Sequence, residues 1–327
     1  MRACRLPTRD SRLAVLALAP RYLPAVPPIP PPRASGYTST TTVPLYWCRY
    51  GEPGAPPLLV LHGGPGAHHD YLLPQMLELA RLAGGHELIF YDQRGGGRSK
   101  DESRAPVTWR THVEDLALVI DELGVDPLSI VGYSWGGMLA LLYAIDAARN
   151  AAMVQPRRLA LIDPAPLTRE YRDAFEAEKA RRERGPAVLA MRDELAASNL
   201  RETDPDAYRQ RAFELGVSGY FEDPHRAAGL TAFRVTGRVQ QQVWESLGDF
   251  DTLSELERWL CPAPYPVLIT HGRQDPIPLE SSERAARALD ARFVVLEHCG
   301  HVPYVEQPAA LFAALDDFLR ETRPATP

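Results

Sequence analysis

A chain of 327 residues that is 45% hydrophobic and 24% charged can bury one large core carrying an insertion, or two smaller cores. A formal net charge of −6 argues against a nucleic-acid partner, and no apolar run approaches the ~18 residues of a membrane span. Cys4, Cys48, Cys261 and Cys299 are scattered without C-x-x-C spacing, which indicates neither a zinc site nor a disulfide framework.

The N-terminus carries Arg2, Arg5, Arg9 and Arg12, followed by an apolar stretch at 13–19. In outline this is a secretory signal. Asp10 interrupts the basic part, however, and no small-x-small cleavage site follows. Seven prolines between 20 and 32 favour polyproline II or disorder. Residues 1–42 are therefore expected to be a disordered leader on a cytoplasmic protein, with secretion as the alternative.

Folded sequence is expected from Val43. Residues 42–50 alternate as an edge strand does, and Gly51-Glu52-Pro53-Gly54 turns the chain. Runs 58–61 and 87–91 are apolar without alternation, the mark of parallel strands covered on both faces. Between them, 72–82 has helical apolar spacing. A second amphipathic helix fits 108–123, with Thr108 or Thr111 as N-cap and Gly124 as its stop. A strand at 128–131, a helix at 140–148 and a strand at 158–162 continue the alternation. It implies a doubly wound, mostly parallel sheet with helices on both faces.

That rhythm stops after Asp163, and the next strand, 266–270, lies about a hundred residues on. A structureless loop of that length does not suit a compact domain. Segments 170–184, 187–200, 205–220 and 238–247 are rich in helix formers, and Asp204-Pro205 and Asp223-Pro224 are good helix starts. Residues 166–252 are read as a helical cap inserted between core segments 43–165 and 253–327. In the second core segment a helix is expected at 281–289, a strand at 292–296 and a final helix at 309–321.

Residues 132–136 read Gly-Tyr-Ser-Trp-Gly between a strand and a helix. In that context Gly-x-Ser-x-Gly is a nucleophile elbow, so tight that glycines must flank it, and it lifts the serine hydroxyl clear of the sheet. Ser134 is the candidate nucleophile and needs a base and an orienting carboxylate. His301 follows strand 292–296 and Asp275 follows strand 266–270. Both fall at the C-terminal edge of the sheet, where catalytic groups of open α/β sheets collect. Asp163, ending strand 158–162, is the competing acid; Asp275 is preferred because an acid after the penultimate strand is the commoner placement. His62-Gly63-Gly64-Pro65-Gly66 follows strand 58–61, and the N–H of Gly63 or Gly64 can pair with that of Trp135 as an oxyanion hole. His62 and His271 read as loop-bracing residues, His68 and His69 have no evident role, and the histidine spacing suggests no metal site.

With 62–66 (HGGPG), 92–99 (DQRGxGxS), the elbow and Gly300-His301, the chain resembles the proline iminopeptidase family of α/β-hydrolases over about residues 43–165 and 253–322. The resemblance implies an α/β-hydrolase fold and a serine hydrolase that removes an N-terminal residue, often proline, from a peptide. It implies Ser134, Asp275 and His301 as triad, no cofactor, and a small-molecule or short-peptide substrate. Residues 92–99 then form a structural loop near the oxyanion region. Two departures stand out. Tyr133 occupies the place of a glycine in the family's Gly-Gly-Ser-Trp-Gly elbow, and the cap shows no alignable counterpart of the glutamates that read the substrate's ammonium. Glu214, Glu222 and Glu245 are the candidates for that role, while Arg234 and Arg238 would favour an acidic substrate. A carboxylesterase or amidase acting on a small neutral substrate is the alternative function.

Overall fold

The apolar runs without alternation become the middle of one twisted sheet. The computed structural model describes residues 26–103 and 105–321. Its strands are β1 (Ala34–Tyr37), β2 (Tyr46–Tyr50), β3 (Pro57–Leu61), β4 (Glu87–Tyr91), β5 (Leu128–Tyr133), β6 (Pro156–Ile162), β7 (Val267–Gly272) and β8 (Arg292–Leu296). They lie in the order β1-β2-β4-β3-β5-β6-β7-β8. β1 and β2 pair antiparallel, as do β2 and β4, and every pairing from β4 onward is parallel. The helices are α1 (Trp109–Leu123), α2 (Trp135–Arg149), α3 (Arg169–Arg182), α4 (Pro186–Ala197), α5 (Leu200–Thr203), α6 (Pro205–Val217), α7 (Gly237–Leu247), α8 (Thr252–Trp259), α9 (Leu279–Leu289), α10 (Pro303–Glu306) and α11 (Pro308–Arg320). Neighbouring strand residues serve opposite faces: Leu59 and Leu61 join the core built on α1, α2, α8 and α9, and Leu58 and Val60 join the one built on α11.

Local chemistry explains where the elements begin and end. At the start of α1, Thr108 and Thr111 exchange side-chain and backbone hydrogen bonds as a capping box, and Gly124 closes the helix at φ 64. The segment expected as a helix at 72–82 is instead a run of 3-10 turns over Gln75–Gly84, broken at Leu82 and Ala83. Met76, Leu79 and Leu82 are its buried residues, a spacing of three that suits three residues per turn. Helix α8, which the sequence reading passed over, starts where the Asp251 side chain accepts the Ser254 N–H at 3.1 Å. Helices α3 to α7 fall in the inserted segment. That segment leaves and rejoins the core at one point, where Arg169 N–H donates to Phe250 O at 3.0 Å and Thr252 N–H to Leu167 O at 2.9 Å. No helix among the described residues is long and apolar enough to cross a membrane.

The expected leader needs correction at its C-terminal part. Residues 34–37 are strand β1, which covers the outer edge of β2, and an unpaired edge is a liability that a short strand removes. The turn that follows is anchored by Glu122, whose carboxylate accepts the N–H groups of Ser39 at 2.7 Å and Thr40 at 2.9 Å. The arginine-rich and apolar stretches within residues 1–25 lie outside the described residues. A chain starting at Val43 is expected to melt roughly 5 °C below one starting at Pro32, because it loses the β1 ladder and the Glu122 anchor. Superimposable melting curves of the two would show that β1 contributes nothing to the fold.

Candidate active site

The elbow forms because three backbones meet where no side chain fits. A β-carbon on Gly132 would lie 2.5 Å from Gly136 O, one on Gly136 would lie 2.3 Å from Leu61 O, and one on Gly63 would lie 2.7 Å from Ser134 Cβ. Ser134 itself is bent to φ 53, ψ −119 at the N-terminus of α2. Its N–H donates to Ile162 O at 2.9 Å, which ties the bend to β6.

The three sequence candidates for the triad come together. Ser134 Oγ–H donates to His301 Nε2 at 2.9 Å, and His301 Nδ1–H donates to Asp275 Oδ2 at 2.7 Å. The other Asp275 oxygen accepts the Ile277 N–H at 2.7 Å. Asp163, the competing acid, lies behind this chain rather than in it: its Oδ1 accepts the Gly272 N–H at 2.7 Å. Burial, reinforced by the charge of Asp275, pushes the Asp163 carboxyl well above the usual carboxylate range. Burial also opposes ionisation of Asp275, but the charge and hydrogen bond of His301 hold it below that range. The pair therefore carries one negative charge, on the residue that faces the histidine. His271 braces the same loop, with Nδ1 against Ser282 Oγ at 2.8 Å and Nε2 against Ile277 O at 3.1 Å. Both ring nitrogens of His271 are thus engaged by protein partners in this arrangement.

The loops at 62–66 and 92–99 are cross-linked. Gln93 N–H donates to His62 Nε2 at 3.1 Å, Gln93 Nε2 donates to His62 O at 2.8 Å, and Trp135 Nε1 donates to Gln93 Oε1 at 3.0 Å. Asp92 accepts from His69 Nδ1 at 2.6 Å and from the Arg98 N–H at 2.9 Å. Although burial works against its charge, hydrogen bonds to Asp92 and Cys48 raise His69 to about 10, so a buried ion pair fastens this corner. His69 thereby has the role that spacing did not reveal. Of the expected oxyanion donors, Trp135 N–H opens α2, where an N–H has no partner inside the helix. Gly64 sits at φ 57 in the neighbouring turn. Gly63 N–H is instead directed at the Tyr71 hydroxyl, at 2.6 Å.

Cap and elbow clamp the base from two sides. His301 N–H donates to Tyr220 O at 2.7 Å, and Tyr133 OH donates to His301 O at 2.8 Å. The tyrosine that departs from the family elbow thus braces the histidine loop. Glu306, missed in the sequence although it lies five residues after His301, accepts the N–H groups of Glu222 at 2.7 Å and Gly300 at 2.9 Å. A cavity of about 350 Å³ opens over Ser134 and His301, walled by rings that include Tyr71, Phe213, Tyr220 and Phe233. Lys179 is the one lysine, arginine or acidic residue in its lining among those described, paired with Glu183 and 5.0 Å from the centre of the Tyr220 ring.

The cap glutamates expected to meet a substrate ammonium do not line this cavity. Glu214 is turned to Gln210 and Arg211, at 3.1 and 2.8 Å, and lines a separate cavity beside residues 26–29. Glu222 lines a third, next to Arg181 and Arg182. Glu245 accepts from Gln241 one helical turn away, at 2.7 Å. Each lies on a helix or turn whose rotation points it elsewhere, a matter of tertiary packing rather than local sequence. Arg234 and Arg238 are exposed and likewise outside the cavity.

Two tests follow from these electrostatics. Asp275→Asn is expected to cost about 10⁴-fold in turnover, since the amide cannot stabilise an imidazolium. Asp163→Asn, replacing a carboxyl that is already neutral, should stay within about 10-fold of the wild type. The reverse ranking would move the acid to β6. Burial, aided by the charge of Asp275 and opposed by its N–H donors, lifts Glu306 from 4.5 to about 7. The folded protein then holds a proton that the unfolded chain has released between those pH values. Its stability from this group is fully present below pH 4.5 and falls as pH rises toward 7, by on the order of 3 kcal/mol. Glu306→Gln should flatten the melting temperature across that window; an unchanged slope would refute the assignment.

The α/β hydrolase fold family is matched over residues 56–308. The chain is 29% identical over 282 residues to the proline iminopeptidase of Levilactobacillus brevis, covering 80% of this chain and 88% of that one. In structure it is similar to the proline iminopeptidase-related protein of Thermus thermophilus, with a TM-score of 0.64 and 23% identity over 88% of this chain and 96% of that one. It is also similar to the 2-hydroxy-6-oxo-6-phenylhexa-2,4-dienoate hydrolase of a Rhodococcus strain, with a TM-score of 0.60 and 22% identity over 88% and 99% of the two chains. The protein is a hydrolase that belongs to the α/β hydrolase family, and it is similar in sequence to proline iminopeptidases.

Proposed function

We propose that the protein is a serine aminopeptidase that removes a small apolar N-terminal residue, of the proline type, from short peptides or arylamides through an acyl-enzyme. Similarity to the proline iminopeptidases supports this reading. The observation that carries it is the alignment of Ser134, His301 and Asp275 at the floor of an apolar cavity of about 350 Å³, beneath the cap. Ser134 Oγ attacks the substrate carbonyl carbon as its proton passes to His301 Nε2, and Asp275 stabilises the imidazolium. Collapse of the tetrahedral intermediate expels the amine, which takes that proton. Water then repeats the sequence on the acyl-enzyme and restores Ser134.

The lining of the cavity favours a second reading, an esterase or amidase acting on a small neutral substrate. With no carboxylate among the described lining residues, an ammonium would rest on ring faces. Such contacts supply about 0.5–2 kcal/mol to a cation, a factor of roughly 2 to 30. A buried carboxylate left unpaired by a blocked amine would discriminate by several kcal/mol. Proline p-nitroanilide is therefore expected to be cleaved, with N-acetylproline p-nitroanilide slower by no more than about 30-fold in kcat/KM. Ser134→Ala should abolish both reactions. Hydrolysis of p-nitrophenyl acetate with neither anilide cleaved would replace the aminopeptidase reading by the esterase one.

A further inference from the structure

The Tyr71 hydroxyl stands beside Gly63 in the loop after β3, close to Ser134. It accepts the Gly63 N–H at 2.6 Å. A β-carbon placed on Gly63 would lie 2.8 Å from this hydroxyl and 2.7 Å from Ser134 Cβ, so the phenol oxygen and the nucleophile flank the same point. While its oxygen accepts from the amide, the phenol still has its own proton to donate, and among the described residues that proton meets no protein acceptor. Tyr71 lines the cavity together with Gly63, Ser134 and His301. Its ring is held in place, stacked on Phe233 with centroids 4.4 Å apart and tilted against Tyr133 at 6.1 Å. An amide already committed to the phenol cannot also serve a substrate oxygen unless that packed ring moves away.

We propose that Tyr71 is a catalytic residue: its phenolic O–H, polarised by the Gly63 N–H behind it, donates a hydrogen bond to the substrate oxyanion alongside the Trp135 N–H. This rests on the serine-hydrolase reading above and extends the oxyanion hole from backbone donors to a side chain. As Ser134 Oγ bonds to the carbonyl carbon, its proton goes to His301 Nε2 and the carbonyl π pair moves onto oxygen. Tyr71 only shares its proton and keeps it when the intermediate collapses and the pair returns. Burial opposes ionisation of the phenol, which keeps it a donor throughout.

The test compares wild type, Tyr71→Phe and Ser134→Ala on p-nitrophenyl acetate. Inhibition by a trifluoromethyl ketone, which forms a tetrahedral oxyanion adduct on the serine, is measured alongside melting curves. Tyr71→Phe keeps the ring on Phe233 and should melt near the wild type. Its KM should stay within about 3-fold, while kcat falls about 10²- to 10³-fold and ketone binding weakens in parallel. A kcat within 3-fold of the wild type or above it, or unaltered ketone binding, would overturn the role of Tyr71 while leaving an inactive Ser134→Ala intact. Turnover retained by Ser134→Ala would instead overturn the underlying reading, and this proposal with it. The unaltered protein offers a check that no folding defect can confuse. In a structure of its ketone adduct, Tyr71 Oη should lie about 2.5–2.8 Å from the adduct oxygen, and a separation beyond hydrogen-bond reach would overturn the proposal.

Discussion

The close approach of three backbones at the elbow is the constraint on which the site depends. Gly132, Gly136 and Gly63 pass their neighbours at distances that forbid a β-carbon. The strained φ of Ser134 costs about 1–3 kcal/mol by itself and persists only because its surroundings over-determine it. Those surroundings are neighbouring strands inside the sheet: β5 pairs Gly132 with Leu61 on one side and Tyr133 with Ile162 on the other. Ser134 is placed by the middle of the sheet, and His301 and Asp275 arrive on loops that the same sheet aligns.

Burial is turned to opposite ends by the two acids behind the base. Asp163 yields to it and stays neutral, whereas Asp275 resists it because a histidine stands in front. Ionising both would set two like charges side by side in that interior, which the burial of Asp163 opposes. The His69–Asp92 pair does a structural version of the same thing. Its charges satisfy each other and the loop amides, and the loop at 62–66 is fastened through His62 and Gln93.

What was legible in the sequence was whatever depends on local spacing or chain order. The parallel strands and the elbow were readable because each rests on a few adjacent residues, and the meeting of Ser134, Asp275 and His301 because each follows a strand at one edge of the sheet. Strand β1 was hidden by the proline-rich run before it, since its pairing partner, not its composition, makes it a strand. The 3-10 turns at Gln75–Gly84 were hidden because Met76, Leu79 and Leu82 fit periods of 3.0 and 3.6 alike over so short a span. The cap glutamates failed for a different reason: which way a helix faces is settled by contacts across the fold. Tyr133, an anomaly in the sequence, became intelligible only once its hydroxyl was seen on His301 O, 168 residues away.

The inserted segment is therefore not a separable lid over a finished core. Tyr220 O holds the His301 N–H, a β-carbon on Gly300 would lie 2.4 Å from that same carbonyl, and Glu306 reaches from the histidine loop to the Glu222 N–H. Residues 220–222 thus position the base with their backbone, while the Tyr220 ring forms part of the cavity wall and stacks on His301 at 5.4 Å. One short segment thus supplies both a wall of the cavity and the carbonyl that fixes the His301 backbone. A change that shifts the backbone at 220–222 is therefore felt at His301 through that hydrogen bond, a link that the local sequence of either segment does not show.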